Sequence, residues 1–147
     1  MILLTGGTGF IGSHIAVELL NNNKKIYILD NFSNSSEDVL QGIKKITGKD
    51  FKFDKVDLRN KDSLEKVFRD NRINAVIHLA GLKSVKKSNE NPADYLSNNV
   101  EGTKNLLAEM NKAEVKKIVF SSSATVYGTP KYLPIKESFK VGKTSSF

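Results

Sequence analysis

Thr5-Gly6-Gly7-Thr8-Gly9-Phe10-Ile11-Gly12 follows an apolar run from Met1 to Leu4. Eighteen residues after Gly12, a second apolar run, Lys25-Ile26-Tyr27-Ile28-Leu29, ends in Asp30. A strand, a tight glycine turn and a helix are what a pyrophosphate needs in order to sit on a helix N-terminus, because side chains in the turn would block it. Gly6 and Gly7 are read as making the turn, Gly9 as letting backbone N–H groups approach phosphate oxygens, and Gly12 as letting the helix pack closely on the strand. Asp30 is read as the acceptor for adenosine ribose hydroxyls, and its charge repels a 2′-phosphate, which predicts NAD rather than NADP. A glycine turn alone also suits an unrelated βα unit. The strand, the helix and Asp30 in register make the dinucleotide reading the stronger one.

At 147 residues the chain has the size of one domain, able to bury roughly two thirds of its unfolded surface. Cysteine is absent, which excludes a disulfide framework, a thiolate zinc site and a cysteine nucleophile. With no hydrophobic signal region at Met1 and no apolar run of membrane-spanning length, the expected compartment is the cytoplasm and no membrane partner is expected. The 23 basic and 16 acidic residues give a formal charge of +7, but the lysines are scattered in pairs such as Lys24-Lys25, Lys44-Lys45 and Lys86-Lys87. Arginine occurs only at Arg59, Arg69 and Arg72, and no aromatic platform interleaves the charges, so nucleic acid is not an expected partner.

Short apolar runs alternate with helical patterns, which predicts βαβ units and a doubly wound, Rossmann-like parallel α/β sheet with helices on both faces. Five strands are expected, over Ile2–Thr5, Lys25–Leu29, Phe51–Val56, Ala75–Leu79 and Lys117–Phe120, the last two reading as strands buried on both faces. Four helices lie between them. The first carries Ile11, Ile15 and Leu19, with Ala16 and Leu20 beside them, as a stripe toward the sheet; the second runs near Ser36–Thr47 and stops at Gly48. In the third, Asp62 and Glu65 are read as the cap ahead of Leu64, Val67 and Phe68; the fourth opens at Pro92 and carries Leu96, Val100, Leu107 and Met110. Ligands of such sheets bind beyond the carboxyl ends of the strands, where strand order reverses. Those ends read Thr5-Gly6-Gly7, Asp30-Asn31, Asp57-Leu58, Leu79-Ala80-Gly81 and Ser121-Ser122-Ser123. Asp57 is placed to accept from an adenine amino group, with Leu58 packing on the ring.

Three stretches carry a specific resemblance: Thr5 to His14, His78 to Ser84 (HLAGLKS) and Ser121 to Gly128 (SSSATVYG). They are joined by Leu29-Asp30-Asn31 and by Asn98-Asn99-Val100-Glu101-Gly102-Thr103. In order and spacing the chain resembles the extended short-chain dehydrogenase/reductase (NAD-dependent epimerase/dehydratase) family, and within it the branch that interconverts UDP-glucose and UDP-galactose at C4. Ala124 after Ser123, and Gly81-Leu82-Lys83 after Ala80, resemble that branch rather than the sugar-nucleotide dehydratases. The resemblance implies NAD contacts from Phe10, Ile11, Asp30, Asn31, Asn34, Asp57, Leu58, Leu79, Ala80, Gly81, Lys83 and Asn98. Lys83, a donor-only ammonium, suits ribose or phosphate oxygens.

The same resemblance implies transient oxidation. A tyrosine phenolate takes the sugar C4 hydroxyl proton while hydride passes to NAD, a lysine four residues on lowers the tyrosine pKa, and a serine bridges tyrosine and substrate. Ser123 matches that serine, with Thr125 assisting it. The tyrosine and lysine are expected past the Glu137-Ser138-Phe139 and Gly142 segment, beyond Phe147. Tyr127/Lys131 and Tyr132/Lys136 have the spacing, but an internal proline breaks the helix that would align each pair. Domain 1–147 is therefore expected to be an incomplete NAD-binding domain, inactive alone, without the later strands and the smaller domain that hold the UDP-sugar. Its fifth strand is expected to expose apolar surface and promote self-association. A free-standing non-catalytic NAD-binding module, or part of a related dehydratase or reductase, is the alternative.

Overall fold

The computed structural model describes residues 1–142. Five parallel strands lie in the order β3-β2-β1-β4-β5: β1 (Ile2–Thr5), β2 (Ile26–Asp30), β3 (Lys52–Lys55), β4 (Ala75–His78) and β5 (Ile118–Phe120). The chain walks outward from β1 through β2 to β3 and returns to place β4 on the other side of β1. Strand order therefore reverses between β1 and β4, the position at which a doubly wound sheet opens a crevice.

Side chains alternate across the strands and build two cores. On one face Leu4, Ile26 and Ile28 pack against Ala16 and Leu20 of helix α1 (Phe10–Asn21) and Leu40 and Ile43 of helix α2 (Asp38–Thr47). On the other, Leu3, Tyr27, Leu29 and Val76 pack against Leu64, Val67 and Phe68 of helix α3 (Lys61–Asp70) and against Leu106 and Met110. Each fully buried Leu or Ile contributes about 1.5–3 kcal/mol, so the two faces supply most of the stabilisation.

Helix α2 stops as expected at Gly48, whose φ of +64° is the left-handed conformation that closes a helix C-terminus. Helix α3 is capped by Asn60, which accepts from the Ser63 backbone N–H at 3.0 Å; Asp62 lies inside the first turn instead of capping it. Its carboxylate there meets the positive end of the helix.

Three expectations about burial are corrected. In α1 the sheet-facing stripe is Gly12-Ala16-Leu20, with Ile15 and Leu19 half-buried, while Ile11 is 58% exposed. The first turn of α1 rests on the glycine loop rather than on strand side chains, which leaves Phe10 and Ile11 facing outward. Second, β5 is not buried on both faces as its pattern suggests but exposed along its whole length, Val119 at 64%, because β5 pairs only with β4 and no described helix covers it, in keeping with the apolar surface expected at the fifth strand; in β4, Val76 and His78 are buried and Ala75 and Ile77 half-buried.

The third concerns the segment that opens at Pro92. It divides into helix α5 (Pro92–Tyr95), a π-helical stretch over Leu96–Glu101 and helix α6 (Gly102–Lys112). The wide π turns shift the register, so that Tyr95, Gly102, Leu106 and Met110 are buried and Leu96, Val100 and Leu107 face outward. A short helix α4 (Val85–Glu90), capped by Ser84, precedes it without a sequence expectation. Among the described residues no helix is long and apolar enough to cross a membrane, and no group of three or more His, Asp or Glu side chains is placed to hold a metal.

Candidate functional site at the strand carboxyl ends

A cleft opens at the reversal of strand order, and each strand end contributes to it. From β1 come Gly6, Gly9, Phe10, Ile11 and Gly12; from β2 Asp30, Asn31 and Asn34; from β3 Asp57 and Leu58; from β4 Leu79, Ala80, Gly81 and Lys83. Asn98 reaches it from the π-helical stretch, and Ser121 from the end of β5. All the residues expected to contact a cofactor thus line one cleft.

The glycine turn is forced by close approaches. Gly6 has φ +70°, and a Cβ on it would lie 2.6 Å from the Ala80 backbone nitrogen. The α1 N-terminus is aimed at the cleft, and its first-turn N–H groups, which a helix leaves without internal acceptors, are the natural seat for a pyrophosphate.

Asp30 is buried and spans two loops. Its Oδ2 accepts from the Thr8 backbone N–H at 3.1 Å, and its Oδ1 accepts from the Phe32 backbone N–H at 3.0 Å and the Ser35 hydroxyl at 3.2 Å. A carboxylate offers about four acceptor positions; one on Oδ2 is left for a ligand hydroxyl. Asp30 therefore braces the glycine turn as well as facing the cleft, and Thr8 and Ser35, themselves 2.7 Å apart, are partners the sequence reading did not name.

Asp57 differs. Its oxygens accept from the Arg59 backbone N–H (2.9 Å), Nε (2.9 Å) and Nη2 (2.7 Å) and from Asn31 Nδ2 (3.1 Å). The Arg59 guanidinium holds its carboxyl well below the usual carboxylate range, and the Asn31 bond adds to this. With its acceptor positions filled, Asp57 can take an adenine amino group only by giving up one of these bonds, and the Asn31 bond is the longest.

Beneath the cleft lies a buried polar chain. Thr103 donates its hydroxyl to the Asn99 carbonyl (2.6 Å), so its oxygen accepts from His78 Nε2 (2.8 Å), which leaves Nδ1 to accept from the Thr5 hydroxyl (2.7 Å). This bonding assigns the Nε2–H tautomer. Burial, helped by the nearby Lys83 charge, pushes the His78 pKa down from 6.5 to about 4. Above pH 6.5 the ring is neutral in both folded and unfolded chains and the stability is complete. As pH falls from about 6.5 to 4 the unfolded chain binds a proton that the native site refuses, so urea melts should show a loss of about 3 kcal/mol across that window. A His78→Gln variant should flatten the loss; an unchanged slope would contradict the assignment.

Ser123 and Thr125 lie past β5, outside the lining of the cleft. Ser123 caps the 3-10 turn Ala124–Tyr127, and its oxygen accepts from the Thr125 N–H at 3.3 Å and the Thr125 hydroxyl at 2.9 Å. The Ser123 proton is thereby free to donate outward. Tyr127 closes that turn, Gly128 follows with φ +64°, and no helix is described from Thr129 to Gly142, so neither Tyr127/Lys131 nor Tyr132/Lys136 shares a helix face. Phe147, beyond which the tyrosine is expected, lies outside the described residues.

A doubly wound sheet with a glycine turn at its switch point, an acidic residue ending β2 and a lysine beyond β4 is a dinucleotide-binding domain of the Rossmann class. The chain belongs to the NAD dependent epimerase/dehydratase family, whose model matches residues 2–147. It is 53% identical over 145 residues to the UDP-glucose 4-epimerase of Haemophilus influenzae, covering 99% of this chain and 43% of that protein. To the UDP-glucose 4-epimerase of Bacillus subtilis it is 53% identical over 146 residues, again 99% of this chain and 43% of that protein. The crystal structure of UDP-glucose 4-epimerase from Bifidobacterium longum in complex with NAD+ and UDP superimposes with a TM-score of 0.96 at 48% identity, over 99% of this chain and 43% of that one. The chain thus spans less than half the length of the relatives it matches.

Proposed function

We propose that residues 1–147 are the NAD-binding part of a UDP-glucose 4-epimerase, the enzyme that interconverts UDP-glucose and UDP-galactose. The observation that carries this reading is the convergence of all five strand ends on one cleft in which Asp30 keeps a free acceptor and Lys83 supplies a donor. The residues present fit the cofactor. The α1 N-terminus and the side-chain-free turn at Gly6 and Gly9 hold the pyrophosphate, Asp30 takes a ribose hydroxyl and excludes a 2′-phosphate, and Leu58 flanks the adenine. NAD, when bound, supplies the hydride acceptor and donor for the sugar C4 carbon. Ser123, with its proton free and its oxygen held by Thr125, orients the C4 hydroxyl by hydrogen bonding. Proton removal at that hydroxyl falls to a tyrosine–lysine pair on one helix face, and no such pair occurs among the described residues. We therefore assign no turnover to residues 1–147 alone.

A chimera tests this reading. Residues 1–147 joined to the remainder of the Bacillus subtilis relative should convert UDP-galactose to UDP-glucose, whereas the 147-residue chain should not. Ser123→Ala in the chimera should lower kcat about 100-fold or more, in the range of a lost acid–base bridge. A soluble, NAD-loaded chimera without epimerisation would contradict the assignment and favour a non-catalytic NAD-binding module.

A further inference from the structure

We propose that Asn99 is a positioning residue of the cleft: a two-bond clamp on Leu82 that holds Lys83 at the cofactor. The proposal rests on the reading of the cleft as an NAD site. Asn99 Oδ1 accepts from the Leu82 backbone N–H at 2.8 Å, and Asn99 Nδ2 donates to the Leu82 carbonyl at 2.9 Å, so one side chain satisfies both polar groups of one residue. No described backbone–backbone bond involves residues 80–83, which makes this clamp the principal tie on the loop that carries Lys83 into the cleft. A loop so short of internal bonds keeps its shape only through such partners.

The clamp itself is anchored. The Asn99 carbonyl accepts from Thr103, which joins His78 and Thr5 in the buried chain beneath the sheet ends, so the clamp is tied to β1 and β4. The Leu82 N–H and carbonyl between them fix which end of the Asn99 amide faces each, and Asn98 Nδ2 donates to the same Asn99 Oδ1 at 2.9 Å. Gly81 lies between the two side chains: a Cβ there would lie 3.3 Å from Asn99 Oδ1, a tight contact, and 3.5 Å from Lys83 Nζ, an ordinary one, which places the lysine ammonium beside the clamp. Asparagine suits the role chemically. An aspartate accepts from Leu82 but donates nothing, and an alanine does neither.

The test is a double-variant cycle on the 147-residue chain, with NAD titrated calorimetrically and Leu82 amide exchange followed in the absence of NAD. Asn99→Ala should weaken NAD binding about tenfold and speed Leu82 exchange at least about tenfold, while the amides of β1, β2 and β4 keep their protection. In a Lys83→Ala background the same substitution should cost less than about twofold, because Asn99 acts through Lys83. Wild-type NAD affinity in a folded Asn99→Ala chain would overturn the proposal. So would fully additive losses in the double variant, or loss of Leu82 protection only together with the sheet. Should Asn99→Ala fail to fold, Asn99→Asp, which keeps the bond from the Leu82 N–H but sets a carboxylate oxygen against the Leu82 carbonyl, carries the same cycle. A folded wild-type chain that takes no NAD would instead contradict the reading of the cleft, while its Leu82 exchange would still report whether the clamp exists.

Discussion

Gly12→Ala should remove about 4 kcal/mol of stability, lowering Tm by about 10 °C or more, and should abolish cofactor binding. The added methyl would lie 2.2 Å from the Gly6 carbonyl oxygen and 2.8 Å from the Gly7 Cα, both backbone atoms that cannot rotate away. Relief requires α1 to move off the turn, which would loosen Ala16 and Leu20 in the core and displace the first-turn N–H groups from the cleft. The matched control is Gly42→Ala, the same chemical change inside helix α2 at a site where a Cβ meets nothing within 4 Å. There the substitution should stabilise by about 0.5–1 kcal/mol through helix propensity and a less flexible unfolded chain. Thermal melts of the two variants should move in opposite directions; a Gly12→Ala chain as stable as wild type would contradict the packing of α1 on β1.

Asp30→Ala should weaken NAD about 100-fold, in the range of a lost charged hydrogen bond, and should cost about 3 kcal/mol of stability. The stability loss follows from the three donors it strands, Thr8 N–H, Phe32 N–H and the Ser35 hydroxyl. Asp30→Asn separates the two effects. It keeps the shape and one accepting oxygen, so it should regain most of the stability while binding NAD weakly and losing much of the preference for NAD over NADP. Equal NAD affinity in Asp30→Asn and wild type, by titration at matched folded fraction, would remove Asp30 from the site.

The sheet and the cleft were legible because both rest on local chemistry. Strand periodicity needs only apolar runs, and the switch point needs only Gly6 and Gly12 followed by Asp30 at the end of the next run. What escaped depended on neighbours distant in sequence. The apolar run Ile118–Phe120 reads by itself as a strand buried on both faces; its exposure follows from its place beside β4 alone with no described helix over it, which the strand pattern does not carry. The π turns at Leu96–Glu101 are invisible to a 3.6-residue pattern, which groups Leu96, Val100 and Leu107 with Met110 on one stripe, whereas the folded chain buries Leu106 and Met110 and turns the other three outward. Arg59 sits two residues from Asp57, yet nothing in that spacing says that its guanidinium fills both carboxylate oxygens. His78 and Thr103 meet across 25 residues, and Asn99 and Leu82 across 17, so the supports beneath the cleft became readable only once the chain was folded.

Calorimetric titration of the 147-residue chain with NAD tests the central claim most directly. The account predicts saturable one-to-one binding, weaker for NADP and lost in Gly12→Ala. A cooperatively folded chain that shows no saturable heat with NAD would contradict it.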